Sequence, residues 1–178
     1  SHRRPPGRTG VLVPIQRGYS RNLMPEALSQ GQLLPQFEAS IRAERVYFLS
    51  RNRADLFRKG DLVFFYESKR GGGEGRIIGV GRITYSDYMS VDQAYSTLAR
   101  QGVISRSRLN HIANEDGYLT AFTFDAFKPI GGQIAIEMLK NSGTVSAANL
   151  VTSQALNAEQ VDWLLQQASA EVDKVCLH

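Results

Sequence analysis

The segment Tyr66-Glu67-Ser68-Lys69-Arg70 brings an aromatic ring, a carboxylate, a hydroxyl and two cations to the end of the apolar run Leu62 to Tyr66. Side chains alternate between faces in an extended chain, so Tyr66 and Ser68 share one. A ring on that face can stack a planar base, worth about 1–3 kcal/mol per base, and a hydroxyl beside it can read a base edge or a phosphate. Lys69 and Arg70 lead into Gly71-Gly72-Gly73-Glu74-Gly75, and Arg51 and Arg53 follow a neighbouring apolar segment. Cations in such places make salt-sensitive phosphate contacts that supply affinity, not sequence choice. A plainer reading competes, with Tyr66 as core and the cations merely keeping a hairpin tip solvated. The glycine run is no nucleotide-binding loop, because it lacks the Gly-Lys-Ser/Thr ending and the helix that should follow.

Asp125 follows the aromatic stretch Phe122-Thr123-Phe124. Its carboxylate could accept from the amino group of cytosine or guanine, or could cap the following turn, and capping is the role we favour. Glu67 and Lys69 around Ser68 also admit a hydrolytic site, since a carboxylate beside a desolvated lysine can move protons. Alternation points Glu67 away from Ser68, however, and the glycine-rich tip leaves Lys69 in water. No Ser-His-Asp order or nucleophile elbow is present, so binding is preferred to catalysis. The single cysteine, Cys176, excludes an internal disulfide and a cysteine-based zinc site. His2, His111 and His178 are too scattered for a metal site, and nothing in the chain calls for a cofactor.

The elements that would position these groups are short strands and helices. Gly10 to Ile15 and Glu44 to Ser50 read as strands. Gly60-Asp61 turns the chain into the fully apolar strand Leu62 to Tyr66, and Arg76 to Ile83 returns as its hairpin partner. Thr84 to Met89 is expected to leave the sheet. Ser90 should cap a helix to Arg100, and Ser105 another to Ala113 on which His111 is a partly exposed structural residue. Tyr118 to Phe124 and Asn149 to Ser153 are further expected strands. Short helical segments are expected over Met24 to Gln30, Phe37 to Glu44 and Ile134 to Lys140. Asn157 and Gln160 form a capping-box variant at the head of a terminal helix whose stripe is Val161, Leu164, Leu165 and Ala168, with Trp163 at its edge.

At 178 residues, 42% hydrophobic and 21% charged, the chain has the composition of one ordinary soluble domain. We expect a leader at 1–10, a domain at 11–170 and a tail at 171–178. No run approaches the roughly 20 apolar residues that span a bilayer, and a lone cysteine argues for a reducing, cytoplasmic setting. The net charge of +4 hides a division: residues 42–82 balance at +5, whereas residues 110–178 balance at −5. Such asymmetry favours oriented docking on a polyanion, although an arginine-rich surface also serves solubility alone.

The order Gly60-Asp61, an apolar strand ending Phe65-Tyr66-Glu67-Ser68, a loop, then Gly79-Val80-Gly81 with Asp87 beyond resembles the EVE and ASCH branches of the PUA-like superfamily. Thr123-Phe124-Asp125-Ala126-Phe127, Ala148-Asn149-Leu150-Val151-Thr152 and the terminal Glu159-Gln160 resemble the PUA-like module at the C-terminus of some GNAT-type acetyltransferases. The resemblance implies an α+β fold, a mixed β pseudo-barrel with peripheral helices. It also implies binding of nucleic acid, RNA or DNA, at a modified or flipped base. Tyr66, Ser68, Asp125 and Asn149 would line the base pocket, with turn formation the first role for Asn149. Arg51, Arg53, Lys69 and Arg70 would hold the nucleic-acid backbone. Two alternatives accompany it: a small hydrolase of an acetylated nucleoside, as among some ASCH-type relatives, or an interaction module partnering an acetyltransferase domain.

Overall fold

The computed structural model describes residues 9–15, 45–68, 75–98, 105–130, 134, 138, 141 and 152–176, with side chains of the last helix given to 168. The short helices expected before residue 45 and after Ile134 lie outside these residues, as do Lys69, Arg70 and Asn149. Six strands form one mixed sheet: β1 (Gly10–Ile15), β2 (Arg45–Leu49), β3 (Leu62–Glu67), β4 (Ile77–Ser90), β5 (Tyr118–Pro129) and β6 (Gln154–Leu156). Their order across the sheet is β2-β5-β4-β3-β1-β6, and only the β1–β3 pair is parallel. Among the described residues three full helices join them: α1 (Val91–Leu98), α2 (Arg106–Ile112) and α3 (Ala158–Cys176), the last running on into the stretch read from the sequence as a tail.

The sheet curls. Adjacent strands lie about 4.8 Å apart, so in a flat sheet β2 and β3, separated by two strands, would stand about 14 Å apart. Instead the Tyr47 ring on β2 meets the Phe65 ring on β3 edge to face at 6.3 Å. Inside the curl lie Val11, Val13, Ile15, Val63, Phe65, Ile78, Ile83, Phe122, Phe124 and Phe127, sealed at one end by Phe57. The curl does not close, because β2 and β6 remain its two edges. This is the mixed pseudo-barrel expected from the sequence.

Strict alternation sends the other side chains outward. Leu12, Leu62, Phe64 and Tyr66 pack beneath Val161 and Leu164 of α3. Phe48, Leu119 and Ala121 pack beneath α1 and α2, against Ala94, Leu98 and Leu109. β3 is therefore buried on both faces, as its unbroken apolar run requires. Gly79 is forced by packing: a Cβ there would stand 2.3 Å from the Phe127 ring, which lies flat over the strand. Gly60 answers a different need, φ +90°, where only glycine turns without cost.

The helix starts follow their expected caps. Asn157 and Gln160 satisfy each other's backbone N–H groups, at 2.8 and 2.9 Å. Ser105 accepts from the Arg108 N–H, and Ser90 from the Gln93 N–H. Two expectations are corrected. Thr84 to Met89 does not leave the sheet: β4 runs through Ser90 because Tyr85 to Ser90 keep pairing with a β5 that itself extends to Pro129. Their polar side chains disguised a strand with one wet face. A short strand lies at Gln154–Leu156, where residues 154 to 156 pair with β1; of the strand expected over Asn149 to Ser153, Thr152 and Ser153 lie outside any strand and the rest falls outside the described residues. Among the described residues no helix is long and apolar enough to cross a membrane.

Candidate nucleic-acid interface

A cleft of about 220 Å³ opens at the unclosed seam of the curl. Its floor is Tyr47 and Leu49 from the inward face of β2, with Pro14 near the end of β1 opposite. Ser50, Arg51 and Arg53 form one wall, and Thr152 and Ser153, just ahead of β6, form the other. Tyr47 and Leu49 alternate onto the inward face of β2, and the bent loop that follows brings Arg51 and Arg53 to the rim of the same cleft.

The loop that bears the arginines is held from below. Thr120, fully buried on β5, accepts a hydrogen bond from the Arg53 N–H at 2.9 Å and donates its own proton to the Arg51 carbonyl. One hydroxyl thus satisfies both backbone groups of a turn that would otherwise leave them bare over an apolar sheet. Beyond it, the Ser86 hydroxyl sits 2.6 Å from the Phe57 carbonyl and 2.9 Å from that of Ala54, and Phe57 stacks on Phe122 at 4.2 Å. The backbone is fixed while the Arg51 side chain stands in solvent and Arg53 is half-buried. Burial among Phe65 and Phe122 pushes the Tyr47 phenol up to about 12, so the floor is neutral at physiological pH.

The residues singled out from the sequence fall in separate places. Arg51 and Arg53 line the cleft. Tyr66, only 3% exposed, lies on the opposite face of the sheet under α3, because alternation gives the inner face to Phe65. Its phenol is also pushed up to about 12 by burial, and its hydroxyl has no hydrogen-bond partner among the described residues. Ser68, just past β3, is half-buried, and its N–H donates to the Ile15 carbonyl. Asp125 is held by Arg82 in a two-pronged ion pair, at 3.0 and 2.9 Å, on the outside of the β4–β5 pair. That engagement raises the already high Arg82 pKa and differs from the turn cap expected for Asp125. Glu67 is the one buried carboxylate among the described residues.

Sequence reasoning missed Tyr47, Leu49, Pro14, Thr152 and Ser153 as neighbours. The available signal was the period-two run from Tyr47 to Arg53; the wall across the seam, about a hundred residues away in sequence, had none.

No family sequence model matches the chain, and no curated protein matches it by sequence. Solved structures do match in fold. The ASCH protein of Zymomonas mobilis is similar over 88% of this chain and 94% of its own, at 14% identity and a TM-score of 0.60. A serine-to-alanine variant of the same protein aligns over 92% and 99%, at 15% identity and a TM-score of 0.62. A Pseudomonas syringae protein aligns over 89% and 98%, at 17% identity and a TM-score of 0.50. Curled mixed sheet, helices outside it and these likenesses agree: the chain has the fold of the Zymomonas mobilis ASCH protein.

Proposed function

We propose that this protein is a nucleic-acid-binding module whose ligand enters the seam cleft, with a base over Tyr47 and Leu49 and phosphates against Arg51 and Arg53. The observation that carries the reading is the Thr120 clamp. A buried hydroxyl fixes the backbone of an arginine pair at the edge of an aromatic-floored cleft, so less backbone freedom is lost when phosphate arrives. The ASCH-like fold supports the class of ligand, as does the +5 balance over residues 42–82. A modified or extruded base suits the site because the floor offers one small aromatic surface rather than a groove for a duplex. Ser68, whose N–H meets the Ile15 carbonyl one residue past Pro14 of the cleft, extends the proposal, and Lys69, Arg70 and Asn149 belong to it on the sequence reading alone.

Binding of labelled single- and double-stranded oligonucleotides, plain and base-modified, across a salt series is the test. Replacing Arg51 and Arg53 together by alanine should weaken binding and flatten the log-affinity against log-salt slope by about 0.7 per lost contact on a single strand. An unchanged slope would remove the arginines from the interface. Absence of binding to every oligonucleotide would end the reading.

A further inference from the structure

Two tyrosines outside the cleft belong to none of the three apolar cores. Tyr118 begins β5 and is 43% exposed; Tyr88, on β4, is half-buried. Their rings lie 5.5 Å apart at 31°, an offset pair that leaves Tyr118 open to solvent. Asn114 holds the pair in place. Its amide donates to the Tyr88 hydroxyl at 2.7 Å, while its side-chain oxygen accepts from the N–H groups of Asp116 and Tyr118.

The sheet register ties this pair to the cleft. Leu49, Thr120 and Tyr88 form one row across β2, β5 and β4, and Tyr118 stands two residues from Thr120 on the same face. Tyr47 and Leu49, the cleft floor, share that face. The Thr120 hydroxyl is also what grips Arg51 and Arg53. The arginine loop therefore stands between two aromatic surfaces, the sheltered Tyr47 and the open Tyr118.

We propose that Tyr118, backed by Tyr88, is a second stacking site that takes an unpaired base of a single strand whose adjoining nucleotide occupies the cleft, the arginines meeting the phosphate between them. This rests on the nucleic-acid reading of the cleft and adds its substrate class: a single-stranded segment longer than one nucleotide. A base inside a duplex has both faces covered and cannot lie on Tyr118. Stacking of this kind is tolerant of sequence, so the second site would set strand type and length rather than base identity.

Affinity is measured by fluorescence anisotropy for a uridine series, from mononucleotide to octamer, and for a duplex of the octamer with its complement. The wild type, Tyr118→Ala, Tyr118→Phe and the Arg51→Ala/Arg53→Ala variant are compared, with thermal unfolding confirming that each is folded. Tyr118→Ala should lose about tenfold in affinity for the longer single strands and nothing for the mononucleotide, while Tyr118→Phe keeps the wild-type values. The duplex should bind more weakly than its single strand. If the arginine variant weakens binding but Tyr118→Ala matches the wild type at every length, the second site is overturned while the cleft stands, and Tyr118 is merely a packing partner of Tyr88. A wild type that binds none of the probes overturns both.

Discussion

Tyr47 and Tyr66 invite comparison because their chemistry is the same and their settings are not. Each lies on a strand of the sheet, and burial pushes each phenol up to about 12. Tyr66 lies beneath a capped helix, among Leu12, Phe64, Ile77 and Leu164. Tyr47 sits where the sheet fails to close, in a cleft it shares with Arg51 and Arg53 of the loop after its strand. An aromatic residue becomes available to a ligand here because its strand is an unclosed edge. Loss of water alone does not distinguish the two tyrosines.

The largest expected effect separates the two faces. Phe122→Ala and Phe64→Ala each remove a fully buried ring and should each cost about 3–5 kcal/mol in denaturant unfolding. Where both variants remain folded at low temperature, only Phe122→Ala should lose oligonucleotide affinity, because the Phe122 ring supports Tyr47 at 5.5 Å. Equal losses of binding would erase the distinction between the faces.

A smaller effect is expected at the clamp. Thr120→Val keeps shape but strips the partner from the Arg53 N–H and the Arg51 carbonyl, costing about 1–3 kcal/mol. Amide exchange at Arg53 should accelerate and affinity should fall, whereas Thr120→Ser restores both. Unaltered exchange in the valine variant would mean that the loop is held by something else.

The smallest effect appears only in alkali. Both tyrosines ionise near 10 when unfolded and near 12 when folded, so neither makes stability vary with pH near neutrality. As pH climbs from 10 toward 12 the unfolded state sheds these protons first, and the stability that depends on neutral phenols drains away. Tyr47→Phe and Tyr66→Phe should each reduce that loss, read as thermal midpoints across the range. Phenylalanine variants that lose stability as steeply as the wild type would contradict the burial of both hydroxyls.

Much of the scaffold was legible in local signals. The Gly60 turn, the doubly buried β3 and the Asn157–Gln160 box each depend on residues within a few positions of one another. β4 was cut short in the reading because Tyr85, Ser86, Asp87 and Tyr88 resemble a polar exit, although pairing with β5 sustains them. For the site, the cationic half was readable and the aromatic half was not. Alternation says that Phe65 and Tyr66 point to opposite sides, but only the curl decides which side meets the seam. Nothing local tells Arg51 that Thr120 lies beneath it.

Photo-crosslinking with a 4-thiouridine-substituted single strand, followed by mass-spectrometric mapping, addresses the central claim most directly. Adducts are expected on the peptide containing Tyr47 to Arg53, lost on competition with unlabelled strand, and none on the Tyr66 side chain itself. Adducts at Tyr66 with Tyr47 untouched would contradict it, and would place the ligand under the terminal helix instead of at the open seam.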